Sequence, residues 1–150
     1  MPQVALAIPQ KGEPAPPFKV TSIAGQKITL ANYRGKVLLM EYFATWCSPC
    51  RDSVAHLVKL NQKYGKQGLQ ILGLSMDNDG EKSVKEFIIS NRLNYPVAFA
   101  GEEMQTDYAV RSVPTLYVIR KNGAIAEKFM GYNEELDKRL DQLLQKLLSE

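Results

Sequence analysis

The longest apolar runs in this chain have the length of strands. Val37–Phe43 is apolar on both faces apart from Glu41, which suits a central strand covered on both sides. Leu69–Met76 is a second near-continuous apolar run, and Tyr95–Phe99 is a shorter one. Thr115–Arg120 and Ala124–Met130 flank Lys121-Asn122-Gly123, whose Asn-Gly pair signals a tight hairpin. Between the runs the period changes to three and four residues. Val54, Leu57, Leu60 or Asn61, and Tyr64 fall on one helical face, and Gly65 and Gly68 end that helix. Glu81–Asn91 is expected as a helix with Val84, Phe87 and Ile88 inward, and Glu102–Tyr108 as a short one. Asn133–Leu148 carries Leu136, Leu140, Leu143, Leu144 and Leu147 on one face.

Near the N-terminus, Pro2, Pro9, Pro14, Pro16 and Pro17 exclude a helix or a central strand, so residues 1–11 are expected as an extended lead-in. Phe18–Ser22 and Gln26–Leu30 form a candidate hairpin around Ala24-Gly25, and Asn32–Gly35 is turn chemistry. Strands that alternate with helices and then close with a hairpin imply an α/β sandwich, a mixed sheet with helices on both faces. No repeat or composition break divides the chain, so residues 1–150 are expected as one domain.

Composition narrows the classes. Hydrophobic residues are 45% and charged residues 23% of 150, ordinary for a globular chain and unlike a coiled coil or a disordered one. Nineteen basic and sixteen acidic residues leave a formal charge of +3, too weak and too dispersed to indicate nucleic acid. Uninterrupted apolar runs reach about five residues where a membrane span needs about 20. Val4–Ile8 lacks the basic n-region and the length of a secretory signal. The chain is therefore expected to be either cytosolic or a mature domain whose targeting segment is gone. Any membrane attachment would run through such a removed anchor.

Both cysteines fall in one motif, Cys47-Ser48-Pro49-Cys50, directly after the strongest strand. Two intervening residues let both sulfurs meet at the first turn of a helix. Cys47 would stand at or beside the N-cap, where unsatisfied N–H groups and the helix dipole favour an anion. A thiol so placed ionises below its ordinary pKa of about 8.5 and becomes the nucleophile of disulfide exchange. Cys50, a turn deeper, is placed to resolve a mixed disulfide, and Pro49 suits a first helical turn. A structural zinc site needs four ligands, and the chain has two Cys and one His. That histidine, His56, lies nine residues after Cys47, on the opposite side of a helix, and is expected as an ordinary helix-face residue. A purely structural disulfide over so short a loop would constrain the unfolded chain little.

Phe43-Ala44-Thr45-Trp46-Cys47-Ser48-Pro49-Cys50-Arg51 after a buried strand resembles the thioredoxin-like redox centre. With Gly12–Phe18, Gly35-Lys36-Val37, Val113-Pro114-Thr115 and Lys121-Asn122-Gly123 the frame is similar to the TlpA/ResA-like thiol:disulfide oxidoreductases, within the wider AhpC/TSA-redoxin frame. The resemblance implies a thioredoxin-like three-layer α/β/α sandwich with an N-terminal β-hairpin extension and a central βα insertion. It implies Cys47 as nucleophile, Cys50 as resolving cysteine, Trp46 as the aromatic beside them, and Pro114 as a cis-proline that presents the Val113 backbone to a substrate strand. It also implies a domain facing the periplasm or the outside of the membrane, reducing cytochrome c apoprotein cysteines or other exported thiols. Its partners would be protein thiols and disulfides and an upstream redox donor. A monomer without cofactor is expected.

Glu41 individualises the chain. It stands six residues before Cys47, where thioredoxin itself keeps a buried acid. TlpA/ResA-like proteins often carry their acid three residues after the second cysteine, and Ser53 occupies that position here. The adjoining strand Leu69–Met76 has no lysine to pair with Glu41. Glu41 is therefore a candidate proton acceptor for Cys50, against the alternative of a carboxylate reaching solvent. Two other functions compete with disulfide exchange. A peroxiredoxin would need a Pro-x-x-x-Thr-x-x-Cys context, and no proline stands in Tyr42–Trp46 before Cys47. A non-catalytic copper-binding or partner-binding module of similar fold would be expected to add a histidine, and His56 is on the wrong side.

Overall fold

The computed structural model describes residues 8–150. The lead-in expected over residues 1–11 therefore falls mainly outside the described residues. Thirteen elements follow the chain. They are β1 (Lys19–Thr21), β2 (Lys27–Thr29), a 3-10 turn (Leu30–Tyr33), β3 (Val37–Phe43), α1 (Ser48–Tyr64), a second 3-10 turn (Gly65–Gln67), β4 (Leu69–Ser75), α2 (Glu81–Ser90), β5 (Val97–Phe99), α3 (Glu102–Asp107), β6 (Thr115–Ile119), β7 (Ile125–Met130) and α4 (Glu134–Leu148).

Five strands form the main sheet in the order β5-β4-β3-β6-β7. β3 is central, parallel to β4 and antiparallel to β6. Every residue of β3 is buried. Its alternate side chains enter two different cores, as the strand pleat requires. Val37, Leu39 and Phe43 pack with α1, α2 and α4 on one face. Leu38, Met40 and Tyr42 pack on the other with Met104 and Tyr108 around α3 and with Ala15, Phe18 and Ile28 from the N-terminal segment. The result is the thioredoxin-like sandwich, with α2 and β5 as the central insertion and β1–β2 as the extension.

Many boundaries differ from the sequence pattern by a residue or two, and two of the differences have a clear local reason. β2 stops at Thr29 because the Asn32 side chain accepts the Thr29 N–H at 2.8 Å and turns Leu30–Tyr33 into a 3-10 turn. β5 begins at Val97 rather than Tyr95 because Pro96 has no N–H to give the ladder. The Pro96 carbonyl still accepts from Gly73 N at 2.9 Å. The hairpin also has a role that its own residues do not reveal. Ser22 bridges to Ala98, and Ile23 N donates to Val97 O at 2.8 Å, so the extension covers the edge strand β5.

α4 anchors the first core through Leu136, Leu140, Leu144 and Leu147. Its N-cap Asn133 accepts the Leu136 N–H at 2.8 Å, and Glu134, Glu135 and Asp137 sit favourably at the positive end of the helix dipole. Among the described residues no helix is long and apolar enough to cross a membrane. Leu140→Ala should destabilise the fold by about 2–5 kcal/mol, because a fully buried side chain leaves a cavity. Ile89→Ala, at a position 77% exposed, should shift stability by less than about 0.5 kcal/mol. Urea denaturation of both variants measures the contrast.

Candidate active site

The carboxyl end of β3 delivers the chain to the cysteines. Cys47 is the N-cap of α1, with extended φ −90° and ψ 110°, and the helix starts at Ser48 with Pro49 in its first turn. Both cysteines are joined in a disulfide, their Cα atoms 5.3 Å apart. Cys50 is fully buried, whereas Cys47 keeps 5% of its surface exposed. Cys47 is thus the less buried residue of the pair, by a narrow margin. Trp46 beside it is 73% exposed.

The Val113–Pro114 peptide is cis. Thr115, which follows, pairs with Tyr42 near the end of β3, so Val113 and Pro114 arrive at the same end of the sheet as Trp46 and Cys47. The Pro114 carbonyl is held by Gly131 N at 2.9 Å, from the end of β7.

Below this surface lies Glu41. It is fully buried, facing Gly73 across β4 and Leu116 across β6. The Ser53 hydroxyl donates to its Oε2, and its Oε1 has no partner. Ser53 and Cys50 lie three residues apart on the inner face of α1, so Cys50 sits one turn along from the group that touches the acid. Burial pushes the Glu41 carboxyl up to about 8, and the Ser53 hydrogen bond offsets only part of that rise. The alternative of a carboxylate reaching solvent does not hold. Ser53, noted as the position where related chains often carry their acid, here supports an acid on the neighbouring strand.

One residue at this site escaped the sequence pattern. Asp77, just past the end of β4, is buried and holds the turn before Trp46. Its Oδ1 accepts the Thr45 hydroxyl at 2.6 Å, both of its oxygens lie 3.2 Å from the Thr45 N–H, and Ser75 donates to Oδ2 at 2.6 Å. Asp77 is 32 residues from Thr45, so no local spacing could have paired them. His56 stays outside the site. It is half-buried against α4, its Nε2 3.4 Å from Asp137 Oδ1, and burial lowers its pKa.

The family model for the AhpC/TSA family matches residues 11–128. The chain belongs to that family. Within it, the thiol-disulfide oxidoreductase ResA of Bacillus cereus is 35% identical over 92% of this chain and 79% of its own length. The thioredoxin-like protein YneN of Bacillus subtilis is 30% identical over 88% of this chain and 79% of its own. A crystal structure described as a thiol:disulfide interchange protein DsbE from Chlorobium tepidum superposes with a TM-score of 0.87 at 26% identity, over 93% of this chain and 99% of that one. This AhpC/TSA member is a ResA-like thiol-disulfide oxidoreductase whose close cysteine pair is Cys47 and Cys50. Protein thiols and disulfides are the substrates such a family implies.

The buried acid gives a pH signature. Glu41 binds its proton more tightly folded, with a pKa of about 8, than unfolded, near 4.5. Between those values the native state carries the extra proton, so stability falls as pH rises through the window. Below it both states are protonated, and above it the full penalty remains. From pH 5 to pH 8 the oxidised wild type should lose on the order of a few kcal/mol relative to Glu41→Gln. Denaturant midpoints of the two proteins across that range measure the difference.

Proposed function

We propose that the enzyme reduces disulfides in protein partners outside the cytoplasm, with Cys47 as nucleophile, Cys50 as resolving cysteine and Glu41 as the proton acceptor for Cys50. The observation that carries this reading is the fully buried Glu41 carboxyl, linked through Ser53 to the face of α1 that also holds Cys50. In the reduced enzyme the Cys47 thiolate, favoured by the start of α1, attacks one sulfur of a client disulfide. A Cys47–client disulfide forms, and the first client sulfur leaves as a thiolate and takes up a proton. Cys50 then gives its proton to ionised Glu41, directly or through one water, and attacks the Cys47 sulfur. The second client thiolate departs. The client has gained two electrons, and the enzyme has lost two into the Cys47–Cys50 disulfide. An upstream dithiol donor then returns those electrons by the reverse exchange.

Trp46 and the Val113–Pro114 backbone would receive the client strand. The exposure of Trp46 and the position of all three at the cysteine end of the sheet suit that role. The extracytoplasmic setting, and cytochrome c apoproteins as clients, rest on the resemblance to TlpA/ResA-like proteins. Relatives named for thiol-disulfide exchange favour this reading over the peroxidase and copper-module alternatives. Residues 1–150 are proposed to act as one monomeric domain.

In the reduced protein at neutral pH, iodoacetamide should label Cys47 on the order of tenfold faster than Cys50, read by mass spectrometry. Equal rates would remove the assignment of roles. Trp46 emission should change when dithiothreitol opens the disulfide. An unchanged spectrum, with reduction confirmed by thiol titration, would separate Trp46 from the redox pair. The resolving step should accelerate as pH rises through about 8, where Glu41 ionises, and Glu41→Gln should flatten that rise. Superimposable pH–rate profiles from pH 5 to 9 would sink the role of Glu41.

A further inference from the structure

Glu41 leaves one oxygen, Oε1, buried and unpartnered. A second buried polar atom nearby is in the same condition, the hydroxyl of Tyr95. Tyr95 is only 8% exposed and lies in the same core as Cys47, Cys50 and Phe43. Gly73 brings the two residues together. It stands directly across from Glu41 on β4, and a Cβ built on it would lie 3.2 Å from the Tyr95 ring. Any larger residue at this position would compete with that ring for space. Buried polar groups are almost always satisfied, and two orphans near enough for the Glu41 carboxylate to act on the Tyr95 phenol suggest a shared purpose.

We propose that Tyr95 is a positioning residue for Glu41, its hydroxyl donating to the free Oε1, directly or through one water, when the carboxyl ionises. The proposal rests on the reading of Glu41 as proton acceptor and names what supports its charged form. Each element around the acid was a possible source of a compensating charge. β4 offers Gly73, β6 offers Leu116, and α1 offers Ser53 and the uncharged cysteine pair. α2 contributes Val84 and Phe87, and α4 contributes leucines to this core. The segment before β5 contributes Tyr95. Ser53 supplies one donor to Oε2, and Tyr95 supplies the other. Tyr95 keeps its own proton throughout, because burial first and the Glu41 carboxylate second push its phenol well above the ordinary value. It is therefore a donor and not a second base.

The experiment uses the full chain, with glutamate labelled by ¹³C at the side-chain carboxyl, as wild type, Glu41→Gln and Tyr95→Phe. The resonance lost in Glu41→Gln identifies the Glu41 carboxyl, and its titration gives the midpoint directly. Tyr95→Phe should move that midpoint upward by roughly one pH unit, the scale of one hydrogen bond to a charged group. The resolving step at pH 7 should slow several-fold, with its pH dependence displaced in the same direction. Tyr95→Phe should also be less stable than wild type at pH 9, where the carboxylate needs the donor, and no less stable at pH 5. An unchanged Glu41 midpoint in folded Tyr95→Phe overturns the pairing, whatever happens to the rate. A shifted midpoint together with an unchanged rate profile in Glu41→Gln would leave the pairing standing and overturn the proton-acceptor reading instead.

Discussion

The arrangement turns on one carboxyl group without a cation. Glu41 sits in the central strand of the sheet with no exposed surface. A charge in that position is costly unless it is paired, so the group stays protonated across much of the neutral range. In the proposed mechanism that cost is what makes the residue useful. Its pKa of about 8 is close to the ordinary value of a thiol, which is the condition for passing a proton between the two with little loss. The surrounding fold keeps Glu41 in this state. Gly73 adds no side chain beside it, Leu116 adds only apolar surface, and α1 covers it with the same face that carries Cys50.

Above the acid, the surface is organised by a second carboxyl with the opposite surroundings. Asp77 is buried, but its oxygens accept from Thr45 and Ser75. These hydrogen bonds make it a fixed anchor for the turn that leads into Trp46 and Cys47. The two acids, one on β3 and one just past the end of β4, thus differ in their hydrogen-bond partners. The well-satisfied one fixes backbone, and the poorly satisfied one is the proposed proton acceptor. The turn that Asp77 fixes places Cys47 as the N-cap of α1 while leaving the Trp46 ring largely in solvent.

Much of this was legible in the chain. Strand and helix periods marked every strand and α-helix from Val37 to Leu148, with errors of one or two residues at many ends, among them the start of β5, where Pro96 interrupts the ladder. The Cys-x-x-Cys spacing and its place after a buried strand located the redox pair, because both depend on local geometry. Glu41 was conspicuous as the one charge in an apolar run. The sequence position of Ser53 was noted, but its hydroxyl could be assigned to Glu41 only once α1 was laid over β3.

By itself the sequence determined the order of strands and helices, the cysteine motif at a helix start, the buried acid and the lack of a lysine on the strand beside it. These follow from period, composition and near-neighbour spacing, which the chain carries locally. Only the tertiary structure decided that Asp77 would hold Thr45 from 32 residues away, that the N-terminal hairpin would cover β5, and that Tyr95 would come to rest beside Gly73 and Glu41. Those meetings depend on which strands become neighbours in the sheet. Strand order is chosen by the packing of the whole core, and no short stretch of sequence records it.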